Sequence, residues 1–320
     1  MQTHKILLDT DPGIDDFFAM LLLADAQNVE LCGVTAVAGN QVMDKIVRNA
    51  RGIAALLGWT CPVAAGAAGP MCLPQITAGE VHGDTGLGHF PLPAPTAPLD
   101  ARPAWELLYE QARALDGALE VLAIGPLTNL AVAFLAHPDL PRYLRRIVVM
   151  GGSTEWGNRG AYGEFNFYVD PHAAAVVFGA GVPIDMVGLN VTMQTGISDA
   201  EFDGIARLVG ETGRAYSELL DFYRNIYRDN DLGFQIVAMH DSLAAALLMD
   251  EGVLDLRPAA VRIDCSPGPC RGRSLVDFAS QTPNARVAVA VDRPRFWELV
   301  LHSLRRAQSD FRIQKSDVRC

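Results

Sequence analysis

Four carboxylates fall within eight residues near the start of the chain, in the stretch Asp9-Thr10-Asp11-Pro12-Gly13-Ile14-Asp15-Asp16. Like charges at this density repel one another, and one carboxyl group would keep its proton unless a positive group neutralised the set. A hard divalent cation is an economical neutraliser because it takes carboxylate and carbonyl oxygens as ligands. The stretch therefore predicts a divalent metal site.

Helix capping is a simpler explanation for part of the same stretch. Asp11 would be the N-cap with Pro12 at the first helical position, and Asp15 and Asp16 would favour the helix dipole. Capping accounts for one or two of the acids but not for four, so the cation hypothesis explains more of the pattern.

The acids lie between a predicted strand and a predicted helix. The apolar run Lys5–Leu8 predicts a buried strand, and Phe17–Leu23 predicts a buried helix. Pro12-Gly13 breaks the chain between them. In a parallel α/β sheet such a loop lies at the carboxyl edge, where ligands bind.

Strand and helix patterns alternate along the rest of the chain, without an internal repeat or a linker. This predicts a single α/β domain over residues 1–320, with a frayed tail at 307–320. Its central, mainly parallel sheet would be flanked by helices, with the active site at the carboxyl ends of the strands. Further strands are predicted at residues 29–37, 61–65, 119–124, 146–150, 183–189, 259–264 and 287–291, and helices at 41–57, 101–115, 199–228, 242–247 and 294–304.

Residues 66–99 are rich in glycine and proline and contain the segment His82–His89. A loop of this length inside a compact domain is usually functional or disordered. Its glycines and two histidines, near an acidic site, predict an active-site flap.

The composition narrows the class of protein. The 320 residues are 50% hydrophobic and 20% charged, as in ordinary globular domains. A net charge of −11 argues against nucleic acid and anionic membranes as partners. No run approaches the ~20 apolar residues of a membrane span. A strand at the very start and six cysteines without metal-binding spacing predict a cytoplasmic protein with reduced thiols.

Polar side chains recur where predicted strands end, at Asp11, Asn40, Gly125–Asn129, Asn158–Asn166 and Asn190. These groups would meet at one edge of the sheet. No cluster of arginine or lysine and no glycine-rich phosphate loop accompanies them. The pattern therefore indicates a neutral, polyhydroxylated ligand rather than a phosphate ester.

Several of these segments together resemble the calcium-dependent nucleoside hydrolases, the inosine–uridine preferring N-ribohydrolases. They occur in the family's order between residue 5 and about residue 250, and the opening motif is the most specific of them. The segments are Lys5–Asp16, Val37–Asn40, His82–Asp84, Gly125–Asn129, Glu164–Asn166 and His240-Asp241.

The resemblance implies hydrolysis of purine or pyrimidine ribonucleosides to ribose and free base, with Ca²⁺ as the cofactor and a homodimer or homotetramer as the assembly. The implied Ca²⁺ ligands are the carboxylates of Asp11, Asp16 and Asp241 and the backbone carbonyl of Ile124. The implied substrate contacts are Asp15 and Asn40 beside the ribose and attacking water, Asn158, Glu164 and Asn166 on the ribose hydroxyls, His82, Met150 and Phe165 along the pocket, and His240 at the base.

The chemistry agrees with this assignment. Cleavage of an N-ribosidic bond passes through a state like an oxocarbenium ion, which anionic groups beneath the ribose stabilise. The attacking water needs a general base, for which Asp11 is the candidate. The departing base needs a proton or a hydrogen bond, and His240 has a suitable ordinary pKa. Tyr223 and Tyr227, four residues apart on a predicted helix, are either core residues or contacts of the base.

Several of these candidate site residues also have a purely structural explanation when each is taken alone. Asp241 suits an N-cap, and His240 is compatible with an ordinary structural histidine. Asn40 and Asn129 are typical turn residues, and His82 is typical of a loop. The ordered set, rather than any single residue, supports the functional assignment. Asn190 stands where many relatives carry Asp, which leaves its role open.

Two other functions compete with this one. Asp9-Thr10-Asp11 also resembles the opening of haloacid-dehalogenase-type phosphohydrolases, in which Asp9 would be the nucleophile and Mg²⁺ the cofactor. The following Pro12–Asp16 does not fit that motif. A non-catalytic nucleoside- or ribose-binding protein using the same Ca²⁺ site is the other alternative. Release of ribose, release of phosphate, or binding without turnover would distinguish the three.

Overall fold

A nine-stranded sheet forms the centre of the computed structural model, which describes residues 3–198, 201–203, 205, 214–229 and 237–317. In chain order the strands are β1 (His4–Thr10), β2 (Val29–Ala36), β3 (Val63–Ala65), β4 (Leu119–Ala123), β5 (Leu144–Met150), β6 (Ile184–Val187), β7 (Leu254–Ile263), β8 (Ser274–Asp277) and β9 (Ala285–Val291).

The strand order across the sheet is β3-β2-β1-β4-β5-β6-β9-β7-β8. Every pair from β3 to β9 is parallel, whereas β7 runs antiparallel to both β9 and β8. The carboxyl ends of the parallel strands therefore share one edge. The loops that follow β1, β2, β4, β5 and β6 all leave the sheet there.

Helices cover both faces of the sheet. The α-helices with defined bounds are α1 (Ile14–Asp25), α2 (Met43–Leu56), α3 (Gly79–His82), α4 (Ala104–Leu115), α5 (Thr128–Ala136), α6 (Phe165–Val169), α7 (Pro171–Phe178), α8 (Leu189–Thr192), α9 (Arg214–Asp229), α10 (His240–Met249) and α11 (Arg293–Asp317). Short 3-10 helices lie at Leu140–Tyr143, Met193–Thr195 and Glu251–Val253.

The continuous apolar runs of the sequence correspond to elements that are buried all round. Ile6, Leu7 and Leu8 of β1 are fully buried because helices cover both faces of a parallel sheet. Leu7 faces one hydrophobic cluster, while Ile6 and Leu8 face the other. Helix α1 is buried from Ile14 to Leu23, and it packs directly against α10. That contact brings the acidic loop beside the start of α10.

The predicted fold class, a single α/β domain with a mainly parallel sheet, is confirmed. Strand β8 was not predicted, because four residues with alternating exposure at a sheet edge leave little signal. The last helix is longer than predicted, since it continues to Asp317. Of the helix predicted at 199–228, the part from residue 214 on is helical, and much of the rest lies outside the described residues. The domain limits of 1–320 and the fraying of 307–320 stay predictions.

None of the helices in the described part of the chain is both long enough and apolar enough to cross a membrane.

A row of ionisable side chains, with buried members at its centre, crosses the opposite edge of the sheet, where the parallel strands begin. Glu120 of β4 is fully buried and accepts a 2.6 Å hydrogen bond from Nε of Arg146 on β5. Arg146 Nη1 also donates to Asp185 of β6, at 3.1 Å. Asp185 in turn pairs with Arg286 of β9, and Glu120 with His4 of β1. The side chains at the start of five strands therefore hold one another in register.

Arg146→Ala should destabilise the protein by about 3–5 kcal/mol, because it leaves Glu120 and Asp185 as buried charges without their shared partner. Urea unfolding would measure this as a lower midpoint with an unchanged slope. Arg262→Ala, which removes an exposed arginine of β7, is the matched control and should shift stability by less than about 0.5 kcal/mol. Equal stability of the two variants would contradict the prediction.

Candidate active site

Asp16 is held by the loop that it helps to form. Its Oδ2 accepts a hydrogen bond from the Gly13 amide at 2.9 Å, and its Oδ1 accepts from the Thr10 hydroxyl at 2.5 Å and the Asp11 amide at 3.3 Å. These bonds satisfy backbone donors just before the first turn of α1. Capping is therefore present in this stretch, performed by Asp16, while its charge stays in the acidic loop.

Asp11 is enclosed by the loops that follow β2 and β4. Its Oδ2 accepts a 2.7 Å hydrogen bond from the backbone N–H of Asn40. A Cβ atom on Gly39 would lie 2.1 Å from Asp11 Oδ2, and one on Gly125 would lie 2.6 Å from Asp11 Oδ1. Glycine is needed at both positions because the two backbones pass against the carboxylate. Asp11 Oδ1 is buried and has no hydrogen-bond partner in the described part of the chain.

Asp241 joins the acidic loop from the first turn of α10. One carboxylate oxygen from each of Asp15, Asp16 and Asp241 lies within 4.8 Å of the others, and all three residues are buried. Asp11 is outside this group of three, although its charge also raises the pKa of Asp241. The structure thus brings together two of the three carboxylates expected to hold the metal, and adds Asp15, which was expected to face the ribose.

The carboxylates of this cluster are poorly stabilised as anions. Burial, followed by the charge of Asp16, raises the pKa of Asp15 to about 8, and the same causes raise the pKa of Asp11 well above its usual range. Burial and the neighbouring acids do the same to Asp241. Asp15 Oδ1, like Asp11 Oδ1, is a buried acceptor without a partner among the described residues. Clustered, unsatisfied carboxylate oxygens fit a hard divalent cation.

A cavity of about 180 Å³ opens above this cluster at the carboxyl edge of the sheet. Most of the site residues selected from the sequence line it. These are Asp15, Asn40, His82, Ile124, Met150, Asn158, Glu164, Phe165, Asn166, Tyr223, His240 and Asp241. Asp11 and Asp16 are not in the lining and lie beneath it. The side chain of Tyr227 lies outside the described residues, so its predicted contact stays a prediction.

Three polar side chains on the loop between β5 and α7 face the cavity. Both oxygens of Glu164 are engaged, since they accept hydrogen bonds from the amides of Gly152, Asn166 and Phe167 at 2.9–3.2 Å. Burial nevertheless raises the pKa of Glu164 to about 7. Asn166 Nδ2 donates to the Ile124 carbonyl at 3.0 Å, and Asn158 Oδ1 accepts from the Phe165 amide at 2.8 Å. Among the described residues, Oδ1 of Asn166 and Nδ2 of Asn158 have no hydrogen-bond partner, so both remain available to a ligand in the cavity.

Two buried histidines flank the cavity. His82 Nδ1 accepts a 3.1 Å hydrogen bond from the Ile14 amide, and burial, with smaller effects from His240 and Arg159, lowers the pKa of His82 to about 3. His240 Nδ1 lies 2.7 Å from the hydroxyl of buried Thr192. Burial lowers the pKa of His240 to about 4. Both rings are neutral at pH 7 and can donate only through the nitrogen that carries the hydrogen.

Tyr223 is a core residue that also borders the cavity, and its predicted contact with the base stays a prediction. Its side chain is 1% exposed and belongs to the hydrophobic core, yet it also lines the cavity. Its ring stacks near that of His82, with a centroid separation of 5.9 Å. Helix α9 therefore reaches the ligand space through this tyrosine.

Five cavity residues were not selected from the sequence: Ala78, Glu80, Val81, Arg159 and Met193. Arg159 forms an ion pair with Glu80, and its guanidinium carbon lies 5.3 Å from the centre of the Phe165 ring. The sequence did contain a signal for both residues, since Glu80 lies two positions before His82 and Arg159 directly follows Asn158. A single arginine paired with an acid, unlike an arginine cluster, leaves no pattern in the sequence.

Asp9, the nucleophile of the competing phosphohydrolase hypothesis, lies behind the cavity wall. It is fully buried, and its Oδ1 accepts hydrogen bonds from the Thr35 hydroxyl at 2.5 Å and Asn129 Nδ2 at 2.7 Å. Asn129 thereby joins β1 to α5 rather than serving as a plain turn residue. Asn190 likewise has a structural partner, since its Nδ2 donates to the Ala288 carbonyl at 2.8 Å.

Comparison with known proteins agrees with the geometry. The family model described as inosine-uridine preferring nucleoside hydrolase matches residues 6–298. The pyrimidine-specific ribonucleoside hydrolase RihA of Shewanella sp. (strain ANA-3) is 37% identical over 94% of this chain and 96% of its own. The pyrimidine-specific ribonucleoside hydrolase RihB of Escherichia coli O9:H4 (strain HS) is 34% identical over 95% of this chain and 98% of its own.

A solved structure shows the same fold. The purine-preferring ribonucleoside hydrolase from Gardnerella vaginalis superposes with a TM-score of 0.88 at 30% identity, over 95% of this chain and 99% of that chain. The predicted enzyme class, a hydrolase acting on N-glycosyl compounds, is confirmed. Since the matches extend over nearly the whole chain, the protein belongs to the inosine-uridine preferring nucleoside hydrolase family.

Proposed function

We propose that this protein hydrolyses the N-glycosidic bond of ribonucleosides, releasing ribose and the free base. The observation that carries the proposal is the cavity whose floor is a cluster of buried carboxylates and whose wall holds amides suited to hydroxyl groups. Relatives named as ribonucleoside hydrolases support it. A homodimer or homotetramer is part of the proposal by analogy with the family.

The proposed metal is Ca²⁺, held by Asp11, Asp16, Asp241 and the carbonyl of Ile124, with Asp15 close enough to contribute. An all-oxygen donor set favours Ca²⁺ over Zn²⁺. When bound, the ion would supply a template for the ribose diol and the attacking water, and only modest Lewis acidity. Its charge would also stabilise the ionised form of the carboxylates, which burial disfavours.

The ribose would be held by the polar groups that face the cavity. Oδ1 of Asn166 would accept from a hydroxyl, and Nδ2 of Asn158 would donate to one. Asp15, a member of the acidic cluster, and Asn40 also line the cavity. Anionic groups beneath the sugar would stabilise the positive charge that develops as the N-ribosidic bond breaks.

Asp11 would be the general base for the attacking water. Its Oδ1 is a buried acceptor without a hydrogen-bond partner among the described residues, so it would be free to take a proton from the water. Its Oδ2 is held by the Asn40 amide, which fixes the orientation of the carboxylate.

His240 would assist departure of the base. With a lowered pKa its imidazole is neutral at pH 7, so it would act chiefly as a hydrogen-bond donor to the base. If the Thr192 hydroxyl donates to Nδ1, the hydrogen of the ring is on Nε2. Thr192 would then select the tautomer that can serve the leaving group.

A turnover panel of purine and pyrimidine ribonucleosides tests the proposal. The names of the relatives include both pyrimidine-specific and purine-preferring hydrolases, so uridine, cytidine, inosine and guanosine all belong in it. Release of reducing sugar from at least one is expected. Phosphate release from a phosphomonoester would favour a phosphohydrolase, and nucleoside binding without turnover would favour a binding protein.

Ca²⁺ should remove a pH-dependent instability of the protein. The pKa of Asp15 is raised from 3.8 to about 8 in the folded, cation-free state. A raised folded-state pKa stabilises the protein below the unfolded pKa, and this contribution is lost as pH rises through the folded value. The Tm in EDTA should therefore fall as the pH rises from about 4 to about 8.

Saturating Ca²⁺ should flatten this fall and add about 2.7 kcal/mol at 100 times Kd. Thermal unfolding and native mass spectrometry would measure the two effects. Asp241→Asn should weaken Ca²⁺ binding, whereas Asp203→Asn, which changes an exposed acid, should not. A Tm that Ca²⁺ leaves unchanged at every pH would count against the metal site.

A 2′-deoxyribonucleoside should be a very poor substrate. Loss of the 2′-hydroxyl leaves buried polar groups of the site unpaired, and sites built to bind a hydroxyl discriminate by about 10⁴-fold against its absence. The measurement is kcat/KM for the best ribonucleoside of the panel and for its 2′-deoxy form. Equal turnover would show that the ribose hydroxyls are not recognised.

His240→Ala should slow hydrolysis of a natural ribonucleoside by about 10²–10⁴-fold, since assistance to the leaving group is lost. A nitrophenyl riboside departs without protonation, so the same variant should cleave it almost as fast as wild type. Asp11→Ala should abolish both reactions. His137→Ala removes a histidine that stacks on Tyr109 away from the cavity, and it is the matched control. Equal losses on both substrates would make His240 structural.

A further inference from the structure

Residues 151–170, called the substrate loop here, carry Asn158, Glu164 and Asn166. The loop leaves the sheet after β5 and contains α6 before it enters α7. The turn between β7 and β8, residues 264–273 and called the hairpin turn, packs along it. Neither Arg271 nor Ser274 is among the residues that line the cavity. The hairpin therefore contacts the substrate loop without taking part in the cavity wall through either residue.

The first attachment lies at the start of the substrate loop. The Ser274 hydroxyl donates to the Ser153 carbonyl at 2.6 Å and accepts from the Ser153 amide at 2.8 Å. Both residues are buried, so this reciprocal pair is shielded from competition by water. It fixes the point at which the loop leaves β5.

The second attachment lies at the end of the loop and involves Arg271. Its Nε donates to the Tyr168 carbonyl at 2.8 Å, and its Nη2 donates to the Val169 carbonyl at 3.2 Å. The guanidinium carbon lies 4.4 Å from the centre of the Tyr168 ring. One half-buried side chain thus combines two charge-assisted hydrogen bonds with a cation–π contact.

The two backbones also approach closely between these attachments. A Cβ atom on Gly163 would lie 2.6 Å from the Arg271 carbonyl oxygen. A Cβ atom on Gly272 would lie 2.6 Å from N and Cα of Tyr168, and the φ of Gly272 is +74°. Glycine is thus required on both sides of the contact, because the backbones of the hairpin turn and the substrate loop pack too closely to admit a Cβ atom.

Helix α6 needs this support because it has only five residues. Helices of this length are not stable alone, and their last carbonyls lack partners within the helix. Glu164 caps the amide end, and Arg271 satisfies the carbonyl end, where a positive charge is favourable. The position of Asn166, in the first turn of this helix, depends on both caps.

We propose that Arg271 is a positioning residue for ribose binding, acting through the carbonyl end of α6. It sets where Asn166 and Glu164 lie in the cavity without touching the substrate. The inference rests on the proposed function, because it concerns the residues proposed to hold the ribose hydroxyls.

Arg271→Ala should raise KM for the best ribonucleoside of the panel by about tenfold and should raise the inhibition constant of free ribose by a similar factor. The kcat and the inhibition constant of the free base should change by less than about twofold, since loss of uniform binding leaves kcat intact. Hydrogen exchange at the amides of residues 164–170 should become faster.

Two further variants complete the test. Arg271→Lys keeps the charge but lacks the planar fork that reaches two carbonyls, so it should restore part of the lost ribose affinity. Arg262→Ala removes an exposed arginine of the same hairpin and should leave KM, ribose inhibition and exchange unchanged.

Identical KM and ribose inhibition in Arg271→Ala and Arg262→Ala would overturn the inference. Parallel loss of ribose and base binding with a lowered Tm would also overturn it, since that is the pattern of a general folding defect. If the wild type hydrolyses no ribonucleoside, the proposed function fails instead. In that case exchange at residues 164–170 decides alone: faster exchange in Arg271→Ala supports the positioning role, and unchanged exchange refutes it.

Discussion

Mutual repulsion among buried carboxylates is the constraint around which this edge of the sheet is built. Asp11, Asp15, Asp16 and Asp241 come from two helix starts that pack together, and burial raises the pKa of each. No fold would gather them for stability alone, because each loses its hydration. The free-energy cost of burying these carboxylates falls at the site where the proposed cation, and the positive charge that develops during the proposed reaction, would offset it.

The opposite edge of the sheet supplies stability of a different kind. There the buried charges of Glu120, Arg146 and Asp185 alternate in sign from strand to strand, so each has a partner. The pairs follow the strand register, with Glu120 opposite Arg146 and Asp185 opposite Arg286. The sheet thus has paired charges at the end where its parallel strands begin and clustered carboxylates, unpaired among the described residues, at the end where the cavity lies.

Much of this could be predicted from the sequence, because runs such as Ile6–Leu8 and the polar residues after them carry local signals. Family resemblance located most of the cavity lining. Strand β8, Arg159 and Arg271 could not be predicted in the same way. Their roles depend on contacts between segments distant in the chain, such as Arg271 with Tyr168, and a half-exposed arginine gives no local pattern. The approach of Asp241 to Asp15 and Asp16 is likewise a result of packing between α1 and α10, which sequence spacing does not reveal.

The close approach of Gly39 and Gly125 to Asp11 changes how sequence variation here should be interpreted. Neither glycine has a functional group, yet each occupies space that the carboxylate needs. Both have ordinary backbone angles, so the restriction comes from the neighbouring side chain and not from strain. A methyl group at either position would displace the proposed general base. Two chemically inert residues on separate loops are therefore as restricted in type as the carboxylate that they enclose.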